Sequence, residues 1–210
     1  MEKNYHEAIR WYHKAAEQGN ADAQHNLGWC YYKGDGVGKN PSEAFRLFQR
    51  AAEQGNADAQ NMLGVCYREG LGTPVNYKKA IANFNTAIAQ GETYAMANLG
   101  ECYYYGHGVA QNYKKAIQLF RTSAEAQNAR GLFYLGLCYF KGHGVGQNIG
   151  KGIELWRQSA ELGEEYAQRE LGKCYLYGTG CQKNTQKAMS WLKKAAENGD
   201  KEAQKLLKSL

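Results

Sequence analysis

The chain has almost no proline, two residues in 210, Pro41 and Pro74. Both fall in loops, and no Pro/Ser-rich or charge-rich stretch marks a linker. Residues 1–210 therefore read as one domain. Long apolar runs are missing too. No stretch approaches ~18 apolar residues, so nothing qualifies as a membrane-spanning helix. The opening MEKNYHEAIRWYHKAAEQGN lacks the apolar core of a signal peptide. A cytoplasmic location is the expectation, with a secreted or periplasmic one left open should the sequence be a piece of a longer chain. Dense basic runs are also lacking. A net charge of +6 without a Lys/Arg cluster is weak support for nucleic acid as a partner. With 43% hydrophobic and 22% charged residues, the composition excludes a disordered chain.

What the sequence has instead is self-similarity. LGWCYYKGDGV from 27 returns as LGVCYREGLGT from 63, LGECYYYGHGV from 99, LGLCYFKGHGV from 135 and LGKCYLYGTGC from 171. No residue is inserted between copies, and a fixed period of this size is the mark of a stacked repeat protein. The same period argues against disulfides. Cys30, Cys66, Cys102, Cys138 and Cys174 share one register. Packed helices lie about 8–10 Å apart, beyond the ~7 Å Cα limit for a bridge between equivalent positions. Cys181 holds the register of Val37, Thr73, Val109 and Val145; a Cys174–Cys181 bridge across the loop stays open. Free, buried thiols fit a reducing compartment.

Each unit divides into two helical segments joined by two residues, hence an antiparallel hairpin. Pairs are expected over about 4–34, 40–70, 76–106, 112–142, 148–178 and 184–210. The first segment opens on Asn4, Asn40, Asn76, Asn112, Asn148 or Asn184, a strong N-cap, and stops at a glycine such as Gly55. In the second, Ala59, Leu63, Cys66, Tyr67 and Gly70 form one apolar stripe, with Gly64 to its side. Glycine within a helix costs about 1 kcal/mol against alanine. Its return in five units predicts a neighbouring helix too close for a Cβ. The Gly-x-Gly loops close helices instead of following a strand, so they read as helix-end turns rather than a phosphate cradle.

Leu-Gly-x-x-Tyr-x-x-Gly-x-Gly-Val, followed by Asn, Lys-Ala and Ala-Ala-Glu-Gln-Gly-Asn, resembles the Sel-1-like repeat family, relatives of the tetratricopeptide repeats. The resemblance covers essentially the whole chain. It implies an all-α, right-handed superhelix of helix pairs with a concave groove, acting as an adaptor or scaffold for other proteins. Departures are local: Gly152 for the usual alanine, Gln127-Asn128 for Gly-Asn, and Gly131 for an alanine. Some bacterial relatives are cysteine-rich and linked to penicillin binding. Here the paired cysteine spacing is missing, and Ser190-Trp191-Leu192-Lys193 has no S-D-N or K-T-G companion, so the hydrolase reading is set aside.

Five registers of the Leu-Gly segments lie opposite the apolar stripe and vary from copy to copy. They are rich in Trp, Tyr, Phe and Arg, the types enriched at interface hot spots. The expected partner-binding face comprises His25, Trp29, Arg68, Tyr94, Glu101, Tyr105, Phe133, Leu137, Tyr166, Arg169, Lys173 and Tyr177. Phe133 and Lys173 are expected to point away from the core. Arg169 and Lys173 would pair with a partner's carboxylates, while Asp22, Asp58 and Glu69 would meet its basic end. A protein or peptide is thus the expected partner; a structural segment of a larger scaffold and a nucleic-acid-binding solenoid are the alternatives. Catalysis, metal and cofactor find no support. His107 and His143 share a loop register one repeat apart, too distant for one metal. At the ends, Lys208 and Ser209 give the last segment a polar, closing character. Tyr5, Ile9 and Tyr12 are expected to lack a covering helix, predicting upstream residues or self-association.

Overall fold

In the computed structural model the described residues are 5–210, with side chains from Glu7 onward. The Asn4 cap and the side chains of Tyr5 and His6 lie outside them. Among the described residues all regular structure is helical, and the chain forms two compact units, Met1–Leu99 and Gly100–Leu210. Unit 1 holds α1 (Tyr5–Glu17), α2 (Ala21–Lys33), α3 (Pro41–Glu53), α4 (Ala57–Glu69), α5 (Tyr77–Ala89) and the first half of α6 (Thr93–Tyr105). Unit 2 holds the rest of α6, then α7 (Tyr113–Glu125), α8 (Ala129–Lys141), α9 (Ile149–Glu161), α10 (Glu165–Tyr177), α11 (Thr185–Glu197) and α12 (Lys201–Lys208). Within each unit successive helices pack on one another, α1 through α5 and α7 through α12. This is the all-α stack of helix hairpins the period predicts.

The caps explain why helices start where they do. Asn40, Asn76, Asn112, Asn148 and Asn184 each accept the backbone N–H three residues on, at 2.9–3.1 Å. Each such bond satisfies an orphan donor and contributes about 0.5–2 kcal/mol. A second set, Asn20, Asn56, Asn128 and Asp200, caps even-numbered helices at 2.7–3.0 Å. Gly55 ends α3 with a positive φ of 87°, as expected, and Gln127 takes φ 56° where its counterparts are glycine. The departure at that turn leaves both flanking helices intact, with one residue in the left-handed region that glycine prefers.

The helix-interior glycines sit where a neighbour comes close. A Cβ on Gly64 would lie 2.5 Å from Phe84 Cε1, and one on Gly100 2.5 Å from Phe120 Cε1. Gly28 meets Phe48, Gly136 meets Trp156 and Gly172 meets Leu192 in the same way. These partners are fully buried. Trp156 is the largest of them, and there α9 also carries Gly152, whose Cβ would stand 2.9 Å from the Gly136 carbonyl oxygen. The bulky ring and the missing methyl go together. Trp156 Nε1 donates to the Phe133 carbonyl at 3.1 Å.

The Gly-x-Gly loops are turns. Gly142 donates to the Cys138 carbonyl at 2.8 Å, and Asn148 donates back to the Tyr139 carbonyl at 2.8 Å. Gly144, between them, lies against Tyr113 and Ile117 of α7. All six cysteines are free, so the Cys174–Cys181 bridge left open above does not form. Burial pushes the Cys66 and Cys138 thiols up to about 12. At the chain start, Ile9 is buried in a cluster with Ala23, Leu27 and Leu47, and Tyr12 packs beside it. Both were expected uncovered. Their own hairpin partner and α3 supply the cover.

Candidate functional site

On the even-numbered helices only a strip of the expected face is open. It follows three registers, those of Asp22, Trp29 and Lys33. In α4 these become Asp58, Val65 and Glu69, of which Val65 is buried, and in α6 Tyr94, Glu101 and Tyr105. In α8 they are Arg130, Leu137 and Lys141, and in α10 Tyr166, Lys173 and Tyr177. At 100° per residue the three registers fall within about 40° of one another. The other two registers lie about 60–80° to one side, where the following hairpin stands.

That geometry corrects two expected site residues. Arg68 and Phe133 are each 6% exposed. Arg68 Nη1 donates to Asn98 Oδ1 at 3.2 Å, and its guanidinium lies 5.9 Å over the Phe84 ring of α5. Phe133 stacks on Trp156 of α9 at 6.3 Å and touches Tyr166 of α10 at 5.9 Å. Asn61, Ala97, Tyr104 and Leu176, in the same two registers, are buried as well. Variation between copies marks where side chains differ, and here half of it records different solutions to one packing problem.

In unit 1, Trp29 is exposed, with the Lys33 ammonium 5.3 Å over its ring and Tyr32 5.4 Å away. His25 is half-buried, 5.8 Å from Phe48. Burial holds its imidazole below the usual value despite Asp58 and Asp22 nearby. Asp22 accepts from Asn56 Nδ2 at 2.8 Å. Glu92 accepts the Tyr94 N–H at 2.9 Å, and burial, with the hydrogen-bonded Asp58 adding to it, raises its carboxyl. Behind this row, Asn98 Nδ2 donates to Asn61 Oδ1 at 2.8 Å. Tyr94 stands exposed.

In unit 2, Glu101 and Arg130 form an ion pair at 2.7 Å. Burial opposes the Arg130 charge, but Glu101 holds it above the usual arginine range. Tyr134 is buried beside them, and burial pushes its phenol up. Tyr105 is exposed, stacked on His107 at 5.5 Å and edge-on to Tyr134 at 6.4 Å. Leu137 is half-buried, whereas Tyr166 and Tyr177 are exposed.

The cationic end expected at Arg169 and Lys173 is already matched within the chain. Arg169 reaches Asp200 at 2.6 Å, Glu170 at 3.0 Å and Glu202 at 3.4 Å. Lys173 pairs with Glu170 at 3.2 Å and with Glu202. Both cations are thus held by carboxylates of the chain itself, which removes the observation that led to an acidic end of the ligand there.

The loop histidines serve packing. His143 Nδ1 lies 2.8 Å from the Tyr104 hydroxyl, and its ring stacks on Tyr113 at 4.6 Å. Among the described residues no group of three or more His, Cys, Asp and Glu could hold a metal ion, and no helix is long and apolar enough to cross a membrane. Ser190 and Lys193 are exposed on α11. The residue the sequence reading missed is Glu164. It holds the N-cap of α10 but makes no capping hydrogen bond, where Asn20, Asn56, Asn128 and Asp200 all do. Residue type alone did not mark it, since Glu92 holds the same position before α6 and accepts the Tyr94 N–H.

The family model described as Sel1 repeat matches residues 1–20, 21–56, 57–92, 93–128, 129–164 and 165–200. Among solved structures the chain is similar to a Sel1 repeat protein from Oxalobacter formigenes, at 37% identity and a TM-score of 0.78. That match covers 89% of this chain and 75% of the other. It is also similar to a protective antigen present in uropathogenic Escherichia coli strains, at 36% identity and a TM-score of 0.61. This second match covers 95% of this chain but 43% of the antigen. An immunity protein from Pseudomonas aeruginosa shares the fold at 21% identity and a TM-score of 0.61, over 90% of this chain and 72% of the other. A search of curated proteins finds no match.

Proposed function

Since the chain belongs to the Sel1 repeat family, we propose that it is a protein-binding module whose contact surfaces are the open strips of the even-numbered helices within each unit. Sel1 repeat proteins are generally protein-interaction scaffolds, and their fold is typically non-enzymatic. One observation carries the reading. Of the six exposed aromatic side chains among the described residues, five lie on even-numbered helices: Trp29, Tyr94, Tyr105, Tyr166 and Tyr177; the sixth is Trp11 on α1. Large aromatics left in water forgo about 1.5–3 kcal/mol each of burial free energy. Trp and Tyr are also the types that dominate binding energy at protein interfaces.

The test compares Trp29→Ala/Tyr166→Ala with Trp11→Ala, by crosslinking in an extract of the source cells followed by mass spectrometry. The double variant should lose specific partners that Trp11→Ala retains, with both melting near wild type. Equal capture by the two variants would sink the assignment of this strip.

A further inference from the structure

The two units divide the charge of the chain unevenly. Residues 1–99 hold 10 Lys and Arg against 10 Asp and Glu, whereas residues 100–210 hold 16 against 10, so the whole net +6 belongs to unit 2. Within unit 2 the charge is also sorted along the helices. The stretches 102–124, 126–153 and 171–196 contain no Asp or Glu. Each runs through the end of an even-numbered helix, the long loop after it and the first turns of the next odd-numbered helix. Of the carboxylates flanking them, Glu101 is taken by Arg130, Glu154 by Arg157, and Glu170 by Arg169 and Lys173. Every other carboxylate of the unit sits at the opposite end, where odd-numbered helices stop and even-numbered ones start.

The loop end forms one continuous edge. Gly144, in the loop before α9, lies against Tyr113 and Ile117 of α7, and Gly180, in the loop before α11, lies against Ile149 and Ile153 of α9. The edge carries Lys114, Lys115, Arg121, Lys151, Lys183 and Lys187, all exposed and, among the described residues, none in an ion pair. Lys115, Lys151 and Lys187 hold the third position of their helices, where the macrodipole disfavours a cation. Lys79 of α5 shares that register, whereas α3 has Glu43 there, paired with Arg46. Tyrosines steady the three lysines, whose ammonium groups lie 4.4, 4.2 and 5.4 Å over the rings of Tyr103, Tyr139 and Tyr175. A ring face attracts a cation but does not cancel its charge. At Tyr139 two cations converge. Lys151 Nζ donates to its hydroxyl at 3.0 Å, and Arg121 of α7 acts on the same hydroxyl, the two holding the phenol below its usual value. At Tyr175 the register of Arg121 is Arg157, which Glu154 and Glu161 already occupy.

We propose that this edge of unit 2 docks an Asp/Glu-rich segment of a protein partner, with one carboxylate of the segment received by Arg121, Lys151 and the Tyr139 hydroxyl. Charge complementarity selects the occupant. Two cations held at one hydroxyl, with no carboxylate of the chain paired to either, call for an anion from outside. A protein segment is favoured over nucleic acid because the tyrosine faces on which bases would stack are already covered by lysines. The inference takes from the reading above only that the chain binds protein; the aromatic strips play no part in it.

A fluorescein-labelled oligoglutamate of about ten residues, titrated by anisotropy at about 0.15 M salt, tests it. The peptide should bind, and Arg121→Gln/Lys151→Gln should weaken it roughly tenfold. Lys205→Gln/Lys208→Gln removes the same charge from α12 and should weaken it by less than about twofold. All four side chains are exposed, so both variants should melt near wild type. Equal weakening by the two would mean diffuse attraction to a cationic chain and would overturn the site. Trp29→Ala/Tyr166→Ala should leave oligoglutamate binding unchanged; a loss there would move the acidic segment to the strips and overturn this edge. If duplex DNA, or phosphatidylcholine vesicles containing phosphatidylserine, displaces the probe more strongly than unlabelled oligoglutamate at equal negative charge, the occupant is wrong. If oligoglutamate does not bind at all, this proposal fails, while the protein-binding reading still stands or falls on the strip variants.

Discussion

The two sides of the even-numbered helices obey different rules. On the glycine side every repeat makes one contact: Gly28 on Phe48, Gly64 on Phe84, Gly100 on Phe120, Gly136 on Trp156, Gly172 on Leu192. On the far side no two repeats agree. Unit 1 places Asn61, Asn98 and Arg68 in a buried polar cluster, while unit 2 places Phe133 against Trp156 and pairs Arg169 with Asp200. Backbone approach dictates the first side, since only a missing Cβ lets the helices meet. On the second, any side chain that fills the flank and satisfies its polar atoms will serve. Freedom to vary is therefore not the same as exposure, and only the narrow strip beyond that flank faces solvent.

The sharpest way to break this comparison is Phe133→Ala. If Phe133 belongs to the packing flank, truncation leaves a cavity beside Trp156 and Tyr134 and costs about 3–5 kcal/mol. Tyr166→Ala on the open strip, by contrast, should cost well under that. Urea unfolding of both variants decides it: equal, small losses would return Phe133 to the surface.

Gly100→Val probes the glycine side and should cost about 1–3 kcal/mol through overpacking, despite the gain in helix propensity. The Phe120 ring, 2.5 Å from the added Cβ, is fully buried with Tyr134 stacked on it at 5.0 Å and cannot swing away. Gly172→Val meets Leu192, an aliphatic chain with rotamers to spare, so its cost should be the smaller. A thermal melt in which Gly100→Val matches or exceeds wild type would remove close approach as the reason for the glycine.

These contrasts also show which features were legible in the sequence. Period, hairpins, Asn caps, free cysteines and the glycine contact all follow from local rules that read the same in every copy. The site was legible only by halves. Tyr94, Tyr105, Tyr166 and Tyr177 were placed outside correctly. Arg68 and Phe133 were not, because helical angle alone does not say how far round the next hairpin reaches. The ion pairs of Arg169 and Lys173 join residues about thirty positions apart, 169 to 200 and 173 to 202, which no single-helix pattern connects.

The smallest expected effect separates the two glutamate N-cap positions. Glu92 keeps its capping bond to Tyr94, whereas Glu164 has none. Burial lifts the Glu92 carboxyl above the ordinary 4.5, and the hydrogen-bonded Asp58 works in the same direction. Folding therefore favours the protonated form. Below about pH 4.5 the group is protonated in folded and unfolded chains alike, and its contribution is fully present. Between 4.5 and the higher folded-state value the unfolded chain ionises while the folded one stays protonated, so that contribution falls and is gone once pH has risen through the folded-state value. Glu92→Gln keeps an oxygen for the Tyr94 N–H and removes the titration. Its stability relative to wild type should be flat in acid and grow towards neutral pH, as read by denaturant unfolding across the range. A difference that shrinks with rising pH would mean that the capping bond, not the buried charge, governs Glu92.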